Sequence, residues 1–60
     1  MSLQGMVTEL EELVQNARDE AFKFEEKEIK ASGPRVRKIM QEVKNLAQEI
    51  RVAVLERKEK

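Results

Sequence analysis

The sequence predicts an all-α fold: an antiparallel two-helix hairpin of coiled-coil character, associating into a four-helix-bundle dimer or a higher oligomer. Three observations predict it. Apolar residues recur in heptads through two long stretches, and a single Gly-Pro step separates those stretches. The third is size, because a chain of 60 residues buries only about 60% of its unfolded surface on folding alone. Small scaffolds make up the deficit with disulfides, a metal or self-association. With no cysteine and no histidine in the chain, disulfides, thiolate metal sites and the commonest metal ligand are ruled out. Self-association remains.

The elements follow in chain order. The first helix is expected over residues 2–31, starting at Ser2 rather than at the Thr8-Glu9-Leu10-Glu11 capping box, because Leu3, Met6 and Val7 already lie on its apolar face. Leu3, Met6, Leu10, Leu13, Ala17 and Phe24 occupy heptad positions a and d, with Val7, Val14 and Ala21 at e. The turn is expected at residues 32–34, with Gly33 ending the first helix and Pro34 opening the second. The second helix then spans residues 34–59. Val36, Ile39, Val43, Leu46, Ile50 and Ala53 take its a and d positions, with Met40, Ala47 and Val54 at e. A stripe of three positions in seven suits a bundle, whereas a two-stranded coil needs only a and d. The whole of residues 1–60 reads as one domain.

Charge is unevenly placed. Residues 1–32 hold eight acids and four bases, whereas residues 33–60 hold four acids and eight bases, and the total is zero. A turn centred near Gly33 makes residues whose numbers sum to about 66 face each other. Glu28 would then meet Arg37 and Lys38, Glu20 would meet Lys44 and Asn45, and Glu9 would meet Arg57. In this reading the charges pair the helices and fix their register.

Catalysis finds no support. The acids are interleaved with bases, Ser2, Thr8 and Ser32 have no base to activate them, and there is no Gly-rich phosphate loop. No metal site, cofactor or small-molecule substrate is expected. No apolar run approaches a membrane span, and no signal peptide is evident, so the cytoplasm is the expected compartment.

Five bases cluster around the turn: Lys27, Lys30, Arg35, Arg37 and Lys38. They either pair with Glu25, Glu26 and Glu28 across the hairpin or surround a phosphate at the positive end of the second helix. In the second case Arg35, Arg37 and Lys38 contact a DNA backbone, with Lys44 and Arg51 extending the strip. Residues expected at an oligomer interface are Leu10, Leu13, Phe22, Phe24, Ile29, Val43, Ile50 and Leu55. Phe22, Ile29, Val52 and Leu55 lie off the main stripe. They either widen the bundle core or dock a partner, which would make the chain an interaction module without a nucleic-acid role.

The stretch Lys30-Ala31-Ser32-Gly33-Pro34-Arg35-Val36-Arg37-Lys38 resembles the bacterial linker-histone-like nucleoid proteins of the chlamydial type. Members carry a Lys-Ala-Ala-(Ala/Gly)-x-Arg-(Ala/Val)-Arg stretch between two charged helices. The likeness extends through Glu42, Lys44 and Arg51, in a nearly ungapped alignment over residues 10–60. Ile50 stands where the family has an aromatic residue, and Val52 where it has a base after Arg51. Longer members carry a Lys/Ala-rich tail that dominates DNA affinity, so these net-neutral sixty residues should bind DNA weakly and in a salt-sensitive way. The resemblance implies a helical hairpin, double-stranded DNA as partner and a nucleoid location.

Overall fold

A computed structural model describes residues 2–58, the last of them without its side chain. Two helices, α1 (Leu3–Glu26) and α2 (Ser32–Lys58), lie antiparallel in a rod of 50 × 15 × 13 Å. No strand occurs among the described residues. Helix α1 starts where the apolar stripe starts. Ser2 is its N-cap, with its hydroxyl accepting the Gly5 N–H at 2.9 Å. This satisfies one of the free amides of the first turn. Thr8 lies inside the helix, and its hydroxyl donates to the Gln4 carbonyl at 3.1 Å.

The turn departs from expectation. Helix α1 stops at Glu26, and residues 27–31 make the connection, ahead of the expected 32–34. The apolar heptad explains the early stop: after Phe24 the next core position is Lys27, so a longer helix would have nothing to bury. Glu25, Glu26 and Glu28 also crowd the negative end of the helix dipole, which disfavours them there. The Lys23 carbonyl accepts from both the Lys27 and Ile29 amides at 3.1 Å. Glu28, between those donors, adopts the left-handed conformation with φ of 54°.

Gly33 and Pro34 therefore sit inside the first turn of α2, not in the connection. Proline's missing N–H costs nothing there, because first-turn amides have no helical partner. No glycine has positive φ among the described residues. Gly33 is instead a point of close approach: a Cβ there would lie 2.9 Å from Phe24 Cε1. The expected end of the second helix at Glu59 lies outside the described residues.

Moving the turn moves the register. Phe24 lies against Gly33, Glu20 beside Arg35, and Leu13 lines a groove with Asn45 and Leu46. Facing residues thus have numbers summing to 55–59 rather than 66. The shift is about one heptad, so the same apolar stripes meet although each charge finds a different neighbour. Met6, Ala17 and Leu46 are buried between the helices. Leu10, Leu13, Val43 and Ile50 are half-buried there.

The left-handed Glu28 yields a test. A non-glycine residue in this region carries about 1–2 kcal/mol of strain. Glu28→Gly should therefore stabilise the hairpin by roughly 1 kcal/mol, less the extra unfolded-state entropy of glycine. Thermal unfolding followed by circular dichroism should show a rise of several degrees (about 4–8 °C per kcal/mol for a domain this small). A fall would mean that the turn does not use this conformation.

Candidate nucleic-acid interface

The heptad of α2 sorts its charges into two rows on opposite flanks of the core stripe. Position b is basic at each turn of the repeat, as Arg37, Lys44 and Arg51. Position g is acidic after Arg35, as Glu42, Glu49 and Glu56. All six side chains are exposed. On the g flank, Glu9 of α1 joins Glu42 and Glu49 around a groove floored by Leu13 and Leu46. On the b flank, Arg37 and Glu25 border an apolar groove made by Ala21, Phe24, Gly33, Pro34 and Val36.

The expected charge pairing across the hairpin does not form. Two ion pairs occur among the described residues, and both use Glu20: Lys23 at 3.7 Å and Arg35 at 3.6 Å. Glu28 does not pair with Arg37 or Lys38, nor Glu20 with Lys44, because the register brings Arg35 to Glu20 instead. Arg37, Lys38, Lys44, Arg51 and Lys30 have no ion-pair partner among the described residues. Of the six bases expected at DNA, only Arg35 is engaged, and its side chain remains 59% exposed.

The structure brings Arg37, Lys44 and Arg51 onto one line, spaced seven residues apart and so about 10 Å apart along the helix. Lys38 lies on a different face of α2, beside the acidic row, and Lys30 lies in the turn. The turn end also carries Lys23 and Lys27, which line a shallow groove with Arg18, Asp19, Phe22 and Ile29. Lys27 belongs to the basic cluster expected around the turn, whereas Lys23 was passed over because sequence reasoning centred the turn on Gly33.

Glu20 and Ser32 form a second feature that reading passed over. Ser32, the first residue of α2, is fully buried, and the Glu20 side chain is only 18% exposed. Ser32 Oγ and Glu20 Oε1 are both shut off from water without a hydrogen-bond partner of good geometry. The hydroxyl still lies close enough to be the main influence holding the Glu20 carboxylate below its usual range. The charges of Lys23 and Arg35 act in the same direction, and partial burial opposes them. One available signal was Glu20 itself, the single acid at a core position of α1. Together these groups clasp the turn end of the hairpin.

Phe22, Ile29, Val52 and Leu55 do not make one patch. Phe22 and Ile29 share the groove at the turn end. Leu55 occupies the outermost heptad position of α2, as Phe22 does of α1, so the two point away from each other across the hairpin. All four are exposed, and so is Phe24, which an apolar core position had promised to bury.

Among the described residues no cluster of three acidic side chains is placed to hold a metal ion. No described helix is long and apolar enough to cross a membrane.

A slender helical hairpin that presents a line of unpaired bases along one helix offers a surface suited to a polyanion. The sequence matches the profile of the histone H1-like protein Hc1 over residues 5–60, and the chain belongs to that family. Membership points to a DNA-binding, architectural role in the nucleoid. No curated protein and no solved structure shows significant similarity to the chain.

The Glu20 clasp makes a pH prediction. A carboxylate whose pKa is lowered by folding adds stability that is complete above its unfolded value and is lost as pH falls through the folded one. Glu20→Gln should therefore be less stable than the wild type at neutral pH. The two stabilities should converge as pH drops below the ordinary value of 4.5. Urea unfolding across this range measures both, and parallel curves would show that the clasp contributes nothing.

Proposed function

We propose that this chain is a small nucleoid-associated protein that self-associates and binds double-stranded DNA non-specifically through its phosphates. The observation that carries the reading is the unpaired line of Arg37, Lys44 and Arg51 on α2 of a histone H1-like hairpin. Had the acidic helix neutralised the basic one, these three side chains would have been engaged within the chain. Lys30 and Lys38 add charge near the turn, and Arg35 contributes the exposed part of its guanidinium. Contacts of this kind position a protein on DNA without reading sequence. The chain has no Trp or Tyr, and neither Phe lies on the basic line, so base stacking is not part of the reading. Net charge is zero, which makes the expected affinity modest and steeply salt-dependent.

A docking module built on Phe22, Ile29, Val52 and Leu55 is not favoured, because these residues are dispersed over opposite edges of the rod.

Binding to a random-sequence duplex, titrated at several salt concentrations, tests the proposal. Each phosphate contact adds about 0.9 to the log–log salt slope. Replacing Arg37, Lys44 and Arg51 together by Gln should flatten the slope by about 2.7 and weaken unrelated duplexes equally. Affinity and slope unchanged in the triple variant, or no binding by the wild type at low salt, would refute it.

A further inference from the structure

The hairpin leaves one long apolar face uncovered. In an antiparallel pair the e positions of both helices fall on the same side. Here that side presents Val7, Val14, Met40 and Val54, with Phe24 at its turn end, each 42–50% exposed. Ala21 and Ala47 fill the spaces between them. The whole chain exposes 5129 Å², against about 4,000 Å² for a compact monomer of its 7.0 kDa mass. A face of 50 × 15 Å is close to the about 800 Å² that each partner contributes to a standard interface. The occupant this face fits best is a second copy of the chain.

The flanks decide how that copy lies. Beside the apolar stripe run the b positions: Arg37, Lys44 and Arg51 along α2, and Glu11, Arg18 and Glu25 along α1. The groove bordered by Glu25 and Arg37 shows this arrangement directly at the turn end. Near the middle of α1, Glu11 and Arg18 surround Val14 in the same way. None of these six side chains has an ion-pair partner within the hairpin among the described residues.

Two twofold arrangements bring the faces together. With turns at opposite ends, each helix packs on its own counterpart. One rim then gathers six bases, and the other gathers four acids and two bases. With turns at the same end, α1 of one copy packs on α2 of the other. The present register then sets Glu11 between Lys44 and Arg51 of the second copy, and Glu25 one turn from Arg37. Like charges juxtaposed across an interface are strongly disfavoured.

We propose that this face is a homodimer interface in which the two hairpins lie side by side with their turns at the same end, around a twofold axis parallel to the helices. The inference rests on the self-association in the functional reading above and adds its face and its polarity. Each rim then holds four bases against two acids, so a positive excess remains for DNA.

Sedimentation equilibrium and spin-label distances test it, with DNA affinity measured separately. The wild type should have about twice the 7.0 kDa chain mass at roughly 100 µM protein, a range in which obligate association is visible. Val14→Glu should be monomeric. Glu11→Lys should weaken the dimer about tenfold, and adding Lys44→Glu should restore it, since exposed charges alter pairing without entering the core. A label on Lys27→Cys (the chain has no other cysteine) should report a separation under about 30 Å, given bundle helix spacings of 8–10 Å. A separation near the 50 Å length of the rod would reverse the polarity. A monomeric wild type, or a dimer unaffected by both Val14→Glu and Glu11→Lys, would overturn the interface. A wild-type dimer that binds no duplex DNA at low salt would reject the nucleic-acid reading alone.

Discussion

The break in α1 after Glu26 is the constraint on which the rest of the molecule depends. An antiparallel hairpin has one register, and the midpoint of its turn sets it. With the connection at residues 27–31, Phe24 reaches Gly33 and Glu20 reaches Arg35. Every other neighbour relation follows along two stiff helices. The cause is local: the apolar repeat lapses at Lys27, and three carboxylates gather at the negative end of the helix.

That register gives the charges their roles. Opposite signs in the two halves of the chain suggest mutual neutralisation, and a turn near Gly33 would have brought it about. In the structure Glu42 and Glu49 of α2 instead line one flank with Glu9, whereas Arg37, Lys44 and Arg51 line the other flank without an ion-pair partner among the described residues. The net-neutral chain is therefore electrically two-sided. Zero net charge and a basic working surface are compatible, because a polyanion responds to the local field of the face it meets.

The same geometry leaves the hairpin incompletely buried. Two helices can bury a and d against each other, but the e residues need a third or fourth helix. Among the described residues, only Met6, Ala17 and Leu46 of the apolar side chains are buried. Exposed valines in line with unpaired charges of alternating chain origin mark the surface where folding and association merge, as expected of a small chain without disulfide or metal. The Glu20–Ser32–Arg35 clasp acts at the opposite scale, tying the turn end of the helices together within one copy.

Sequence alone determined the helical class, the start of α1 at the Ser2 cap, the residues of the apolar stripe and the likeness to histone H1-like proteins. These depend on local propensity, on period and on composition, which are written along the chain. The tertiary structure alone decided the use of Gly33, which serves a close contact with Phe24 rather than a left-handed backbone, because no residue-level signal separates those uses. It likewise decided which of Lys30, Arg35, Arg37, Lys38, Lys44 and Arg51 are aligned, which one is tied to Glu20, and that Phe22 and Leu55 point apart. A heptad pattern is unchanged when one helix slides along its partner by a full repeat, so apolar periodicity specifies that stripes meet but not which residues face each other.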